Sequence, residues 1–223
     1  QHGSTCRMNH RAYELVLNEL YDGSPYDGII PITNGVGNIE GWASTGPLFD
    51  TLVTEFRPDL IIEVGTWKGA SAINMAQLMR QEGIDGTVIC VDTWLGSLVH
   101  RSNAESRNSL YLKNGYPSIY FEFLSNVVAA GLTNNILPIP QTSTNAYLWL
   151  KENSVQAPLI YIDADHEAVN VYSDISNYWE LVSPGGALFG DDFVSAWPGV
   201  SRAVILFAEK KDLRLQTYGE KWL

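Results

Sequence analysis

Cysteine is nearly absent: Cys6 and Cys90 are the only two in 223 residues. Two thiols build no disulfide framework, so the sequence points to a reducing, cytoplasmic setting, with Cys90 packed as a small hydrophobe in a buried strand. Positive charge is also scarce. Fourteen Lys and Arg stand against 25 Asp and Glu, a formal net charge of −11 with a pI near 4.7. No basic cluster interrupts this excess, so long-range repulsion argues against nucleic acid and anionic membranes as partners. No apolar run reaches the length of a membrane span, and the first residues lack the apolar core of a secretion signal. Gln1-His2-Gly3-Ser4 carries no pattern and takes no part in the reading. What remains is 45% apolar and 17% charged, an ordinary globular composition with length for one α/β domain over residues 1–223.

The most informative stretch is Leu60-Ile61-Ile62-Glu63-Val64-Gly65-Thr66-Trp67-Lys68-Gly69-Ala70-Ser71. An apolar run ending in an acid and a glycine reads as a buried parallel strand reaching its carboxyl end. Gly65 and Gly69 bracket a tight turn. Ser71 to Arg80 follows with helical character, carrying Ile73, Ala76 and Met79 on one face. Strand, glycine turn and helix form the first half of a nucleotide-binding βαβ unit, with unpaired N–H groups at the helix start. The dinucleotide pattern G-x-G-x-x-G is not met, because Trp67 stands where the middle glycine must let a pyrophosphate approach. The E-x-G-x-x-x-G-x-S pattern, with its aromatic, instead resembles motif I of the class I S-adenosylmethionine (SAM) methyltransferases. It is especially similar to the cation-dependent catechol and caffeoyl-CoA O-methyltransferases. That resemblance assigns Glu63, Gly65, Thr66, Trp67, Gly69 and Ser71 to the cofactor.

Along the chain, Cys6 to Tyr21 is amphipathic, with Tyr13, Leu17 and Leu20 on one stripe. Asp22 to Gly41 is a long loop rich in Gly, Pro, Asn and Asp, expected to cover the ligand edge. Trp42 to Phe56 returns to helical periodicity. Residues 1–56 thus read as N-terminal helices and a cover, and 57–223 as the core sheet. The second strand, Gly86 to Asp92, ends in an acid about 20 residues beyond Gly69, the offset of a ribose-binding carboxylate. Both ribose hydroxyls are expected to donate to Asp92. Leu95 to Tyr116 is polar and irregular, with room for a short helix, and is expected to overhang the pocket and touch substrate. Pro117 to Ala130 is an aromatic-rich helix with Ile119, Phe123 and Val127 as core, ended by Gly131. Asn135 to Pro140 is a third strand; Ser143 or Thr144 caps the helix that runs to Lys151. The resemblance places the adenine near Gln141, Thr142 and Ser143.

The fourth strand, from Pro158, ends in Asp163-Ala164-Asp165-His166. A helix follows with Ala168, Tyr172, Ile175, Trp179 and Val182 on one stripe, stopped by Pro184-Gly185-Gly186. The fifth strand, Ala187 to Gly190, leads into Asp191-Asp192. Neighbouring strands lie about 4.8 Å apart, so Asp163, Asp165, Asp191 and Asp192 share one edge. Two like charges about 5 Å apart repel by roughly 3 kcal/mol at an effective dielectric near 20. Protons, outward-turned side chains or a cation must relieve that repulsion, and hard divalent cations take oxygen ligands. Asp163 and Asp165 equally suit caps of the following helix, and a histidine after a strand is often structural. Ser201 to Lys211 is helical, and Leu213 to Thr217 and Lys221 to Leu223 read as two short strands running into the end of the chain.

The resemblance implies the rest. The fold is α/β, a single Rossmann-like seven-stranded methyltransferase sheet, mostly parallel with a C-terminal antiparallel hairpin. Asp163, Asp191 and Asp192 match the family's metal ligands, with Mg²⁺ the expected cation. The position of the family's lysine base holds His166, and Asp163 also borders the cofactor. The Asp-Asp ending and this histidine look like the macrolide-sugar and cephalosporin-hydroxylase-like groups. The implied activity is methylation of a hydroxyl on a small molecule: a catechol, a sugar or another vicinal diol. The alternatives are a SAM-fold protein without catalysis and a metal-dependent hydroxylase, for which one histidine falls short of a two-histidine facial triad. A homo-oligomer is compatible with this composition.

Overall fold

Every residue of the first core strand, β1 (Leu60–Val64), is buried, which is why its sequence is a continuous apolar run and not an alternation. A computed structural model describes residues 10–31, 41, 44–97, 100, 101 and 104–223. In it β1 joins β2 (Thr87–Asp92), β3 (Ile136–Pro140), β4 (Ala157–Ile162), β5 (Val182–Gly190), β6 (Thr217–Tyr218) and β7 (Lys221–Trp222). The sheet has seven strands in the order β3-β2-β1-β4-β5-β7-β6. Strands β3 to β5 pair in parallel, whereas β7 runs antiparallel to both β5 and β6. Strand order reverses between β1 and β4, and in such sheets that reversal opens a crevice at the carboxyl ends.

The helices are α1 (His10–Leu20), α2 (Pro47–Phe56), α3 (Ala70–Gln81), α4 (Ala104–Asn108), α5 (Ile119–Ala129), α6 (Ser143–Glu152), α7 (Ala168–Trp179) and α8 (Pro198–Lys211). Their apolar spacing decides how they pack. Ile73, Ala76 and Met79 of α3, and Ile119, Phe123 and Val127 of α5, are all buried, as their three- and four-residue spacing requires. On α1 the fully buried position is Val16, while Leu20 reaches solvent.

Several boundaries differ from the sequence reading. Residues 1–9, 32–40, 42, 43, 98, 99, 102 and 103 lie outside the described residues, and with them Cys6, positions 32–40 of the covering loop and the expected start at Trp42. Helix α2 begins at Pro47, whose fixed φ and missing N–H suit a first helical turn. Thr142, not Ser143 or Thr144, caps α6: its hydroxyl accepts the N–H of Asn145 at 3.2 Å. Strand β5 starts at Val182 and runs through Pro184-Gly185-Gly186. Its register with β4 shifts between Ala157 and Leu159, an irregularity that tolerates Pro and Gly inside a strand. The first strand of the closing hairpin is only Thr217–Tyr218. Asp212, at φ 54°, ends α8 in a left-handed turn, and Leu213 to Gln216 carry the chain back toward the sheet.

The turn after β1 is built from below by a buried acid. Glu63 has no exposed surface; its carboxylate accepts the Thr66 hydroxyl at 2.7 Å and the Ser71 hydroxyl, tying strand, turn and helix together. Gly65 sits at φ 86°, and a Cβ there would lie 2.0 Å from the carbonyl oxygen of Asp163. Only glycine lets the turn touch the end of β4.

Burial pushes the Glu63 carboxyl from its ordinary 4.5 up to about 7, with the Ser71 and Thr66 hydroxyls working in the opposite direction. The folded chain therefore holds a proton that the unfolded chain releases. Stability from this group is complete below pH 4.5 and is lost as pH rises toward 7, by roughly 3 kcal/mol. Chemical unfolding of wild type and Glu63→Gln at pH 4.5 and pH 8 tests this. The wild type is expected to lose that amount relative to the variant between the two conditions; parallel pH curves would contradict it.

Candidate functional site

The carboxyl ends of β1 to β5 open into one cavity of about 1190 Å³. A drug-sized ligand site is about 300–1,000 Å³, so this cavity has room for two small molecules side by side. Gly65, Thr66, Trp67, Ser71 and Asp92 line one part of it, with Thr142 and Ser143 beside them. Asp163, His166, Asp191 and Asp192 line another. Two expected ligand residues are not in the wall. Glu63 is buried behind the turn it braces. Gly69 precedes α3 and faces Phe123, whose Cδ2 would lie 2.8 Å from an added Cβ. Both shape the turn rather than line the cavity.

Asp92 also differs from expectation. Its Oδ2 accepts the N–H groups of Thr66 and Trp67, each at 2.9 Å, and its Oδ1 accepts that of Trp94 at 2.7 Å. A carboxylate has about four lone-pair sites, so one remains, on Oδ1, for a ligand hydroxyl. These bonds hold two tryptophans in the left-handed region, Trp67 at φ 53° and Trp94 at φ 50°, a conformation that bulky residues adopt only under surrounding constraint. The Trp94 indole N–H donates to the Trp67 carbonyl at 2.7 Å, while its ring packs on Tyr120 and Phe123.

His100, which no spacing rule singles out, stacks on the Trp67 ring at 4.4 Å and lines the cavity. Its Nδ1 accepts the Ser97 N–H at 3.2 Å, which leaves the ring proton on Nε2. Burial holds this imidazole below its ordinary range, with His166 acting the same way and Asp92 opposing. His100 lies within the 95–116 segment expected to touch substrate.

The acidic edge is organised by two residues that the sequence reading places in strands without a site role, Tyr161 and Lys221. Asp191 is buried; its Oδ2 is paired with the Lys221 ammonium and accepts the Tyr161 hydroxyl at 3.1 Å. Its Oδ1 accepts the Asp192 N–H at 2.9 Å. Lys221 is itself buried, over the Phe49 and Tyr161 rings. Asp192, at φ 64°, sets its Oδ2 3.0 Å from Nε2 of His166, and that imidazole stacks on Trp197 at 3.8 Å. Burial, then Asp191 and Asp192, push the Asp163 carboxyl well above the usual carboxylate range, with Lys221 opposing. Asp165 braces the entry to α7 without capping it: it accepts the N–H of Glu167, the N-cap residue, at 2.7 Å and the Asn170 amide at 3.0 Å.

The expected three-aspartate metal site is not formed. Among the described residues no three His, Cys, Asp or Glu side chains are grouped to hold an ion. The physical reason is Lys221, which supplies the positive charge at Asp191 from inside the fold. Asp163 and Asp192 still line the cavity. Two carboxylates suit a hard cation that completes its shell with water and ligand oxygens.

Comparison with known proteins agrees with this geometry. A family model described as a methyltransferase domain matches residues 62–193. A rhamnosyl O-methyltransferase from Mycobacterium tuberculosis is 27% identical, aligning 76% of this chain with 78% of its own. An O-methyltransferase from Bacillus cereus, solved with S-adenosylhomocysteine (SAH), superposes with a TM-score of 0.59 at 17% identity, covering 84% of this chain and 82% of that one. A TDP-rhamnose 3′-O-methyltransferase of calicheamicin biosynthesis gives 0.53 at 18% identity, covering 79% and 76%. At these identities the two structures show a shared fold. The matched residues run from inside β1 to just past Asp192, spanning the glycine turn, Asp92 and the acidic edge. The chain belongs to the methyltransferase-domain family.

Proposed function

We propose that this chain is a SAM-dependent O-methyltransferase acting on a hydroxyl of a small molecule, with a sugar as the acceptor class. One observation carries the reading: a glycine turn held by Asp92 and an aspartate–histidine edge share one cavity large enough for donor and acceptor. The rhamnosyl O-methyltransferase relative and the TDP-rhamnose neighbour support a sugar over a catechol. So does the wall, where Ser97, Ser106 and Ser109 stand with Trp67 and Trp197. The low cysteine content supports a cytoplasmic location, and no described helix is long and apolar enough to cross a membrane.

In this reading the Gly65–Trp67 turn and Ser71 receive the amino-acid part of the donor. Asp92 accepts one ribose hydroxyl at its free Oδ1 site, and Thr142 and Ser143 border the adenine. When bound, SAM supplies a sulfonium methyl already activated for transfer to oxygen. A divalent cation, Mg²⁺ by donor chemistry, would be held by Asp163 and Asp192 and would supply a Lewis acid. His166 is the base. Asp192 accepts its Nε2–H, which fixes the tautomer and leaves Nδ1 to take the acceptor's hydroxyl proton. Asp163 lines the same part of the cavity. Trp197 holds the imidazole plane through stacking. Most of the acceleration then comes from orientation.

Calorimetry with SAH tests the donor site: wild type binds, and Asp92→Ala weakens binding by roughly ten- to a hundredfold. No heat with wild type would remove the donor from the account. With SAM and a rhamnosyl acceptor, His166→Ala is expected to lower kcat by roughly 10²–10⁴-fold while leaving SAH affinity intact; unchanged turnover would place the base elsewhere. Exhaustive chelation is expected to abolish most turnover, with Mg²⁺ restoring it. Full activity after chelation would show that Lys221 alone compensates the edge.

A further inference from the structure

His100 lines the main cavity and has no task in the reading above. It sits on the loop that follows β2, and the contacts of that loop fix its ring. The Arg101 guanidinium donates to the Leu95 carbonyl at 3.1 Å, closing the loop on itself. The Ser97 N–H donates to Nδ1 of His100 at 3.2 Å, and the Ser97 hydroxyl stands 2.7 Å from the same atom. The imidazole lies flat on the Trp67 ring, with 4.4 Å between centroids and 21° between planes. Trp67 belongs to the glycine turn, where Asp92 accepts its N–H at 2.9 Å. The place of this histidine is therefore set by the same turn that the reading assigns to the donor.

These contacts also set its chemical state. An Nδ1 that accepts a backbone N–H carries no proton, so the imidazole is neutral and holds its proton on Nε2. Burial works in the same direction. Among the described residues nothing accepts from that Nε2–H, and the ring faces the cavity it lines. His166 is the converse case. Its Nε2 is bound to Asp192 at 3.0 Å, and Nδ1 is left open. One cavity thus holds one imidazole with a free acceptor and another with a free donor. His166 is among the groups whose charge acts on His100, so the two rings lie within electrostatic reach of each other.

A lone alcohol has use for His166 only. Two hydroxyls on adjacent carbons, as in a sugar, present one oxygen to each ring. We propose that His100 is an acceptor-positioning residue: its Nε2–H donates to the oxygen next to the hydroxyl being methylated, and the two histidines together select which hydroxyl reacts. This rests on the reading of the chain as a sugar O-methyltransferase. His100 keeps its proton throughout and forms no bond to the methyl group. Because a neutral Nε2–H cannot accept a proton, the oxygen it holds stays a hydroxyl while its neighbour is deprotonated at His166. The competing role is packing alone, with His100 serving only as a cover for Trp67.

His100→Phe separates the two roles, since it keeps a ring to stack on Trp67 and removes the N–H. The measurement is kcat/KM with SAM for methyl α-L-rhamnoside and for its monodeoxy analogues. Wild type is expected to use the parent sugar roughly tenfold better than an analogue lacking a hydroxyl adjacent to the methylated one. In His100→Phe that advantage is expected to shrink to about twofold or less, with SAH affinity unchanged. Any effect of the missing hydroxyl on the reactivity of its neighbour is common to both proteins and cancels in the comparison. An advantage preserved in the variant means packing only and overturns the proposal, as does a wild type without the advantage. A parallel loss of SAH affinity places His100 in the donor site and also overturns it. A wild type that binds SAH but methylates none of these sugars overturns the sugar reading itself. Two-bond ¹H–¹⁵N spectra guard against a misfolded variant. Of the four histidines, the one whose signals are missing from His100→Phe is expected to be neutral and protonated at Nε2 in wild type at pH 7. An imidazolium, or a proton on Nδ1, overturns the proposal.

Discussion

Gly65 rests against the carbonyl oxygen of Asp163 with no room for a methyl group between them, and the rest of the site follows from that contact. It brings the turn after β1 and the end of β4 together at the reversal of strand order. A side chain there would force β1 and β4 apart and divide the cavity. The contact is held from three directions. Glu63 ties the turn to α3 from below, Asp92 holds its backbone N–H groups from β2, and β4 pairs with β1 up to Val64 and Ile162. The left-handed tryptophans are the visible strain of this construction.

Electrostatics then divide the acidic edge into two functions. Asp191 looks inward, to a buried ammonium and a buried phenol, and anchors the tail strand β7 to β5; the Trp222 indole N–H donates to its carbonyl at 3.0 Å. Asp163 and Asp192 face the cavity, one with a raised carboxyl and one paired with an imidazole. A single lysine cannot neutralise three carboxylates. Burial first, and then the remaining negative charge, raise the Asp163 carboxyl, and that charge makes this edge suited to a small cation.

How far the sequence could be read depended on the range of each signal. Local patterns were legible: the buried run of β1, the three- and four-residue stripes of α3 and α5, and the acids at the ends of β2, β4 and β5. The seven-stranded sheet and its closing antiparallel hairpin were implied by resemblance and are present. Glu63 was misjudged because an acid before a glycine turn looks the same whether it faces a ligand or the turn's own hydroxyls. Thr142 and Ser143 are both hydroxyls, and only backbone geometry decides which one caps α6. Pro184-Gly185-Gly186 carries a stop signal, yet a register shift makes room for it within β5. Lys221 was illegible for another reason. Its partners, Asp191 and Tyr161, lie 30 and 60 residues away in the chain, and no local pattern marks a lysine that folding will bury.

The central claim is spatial: one cavity sets a methyl donor against an aspartate–histidine edge across the contact between Gly65 and Asp163. A crystal structure of the chain with SAH tests this most directly. The account predicts the ribose at Asp92, the base toward Ser143 and the sulfur at the Gly65–Asp163 contact, facing His166. SAH seated with its sulfur turned away from His166, or bound outside this cavity, would contradict it.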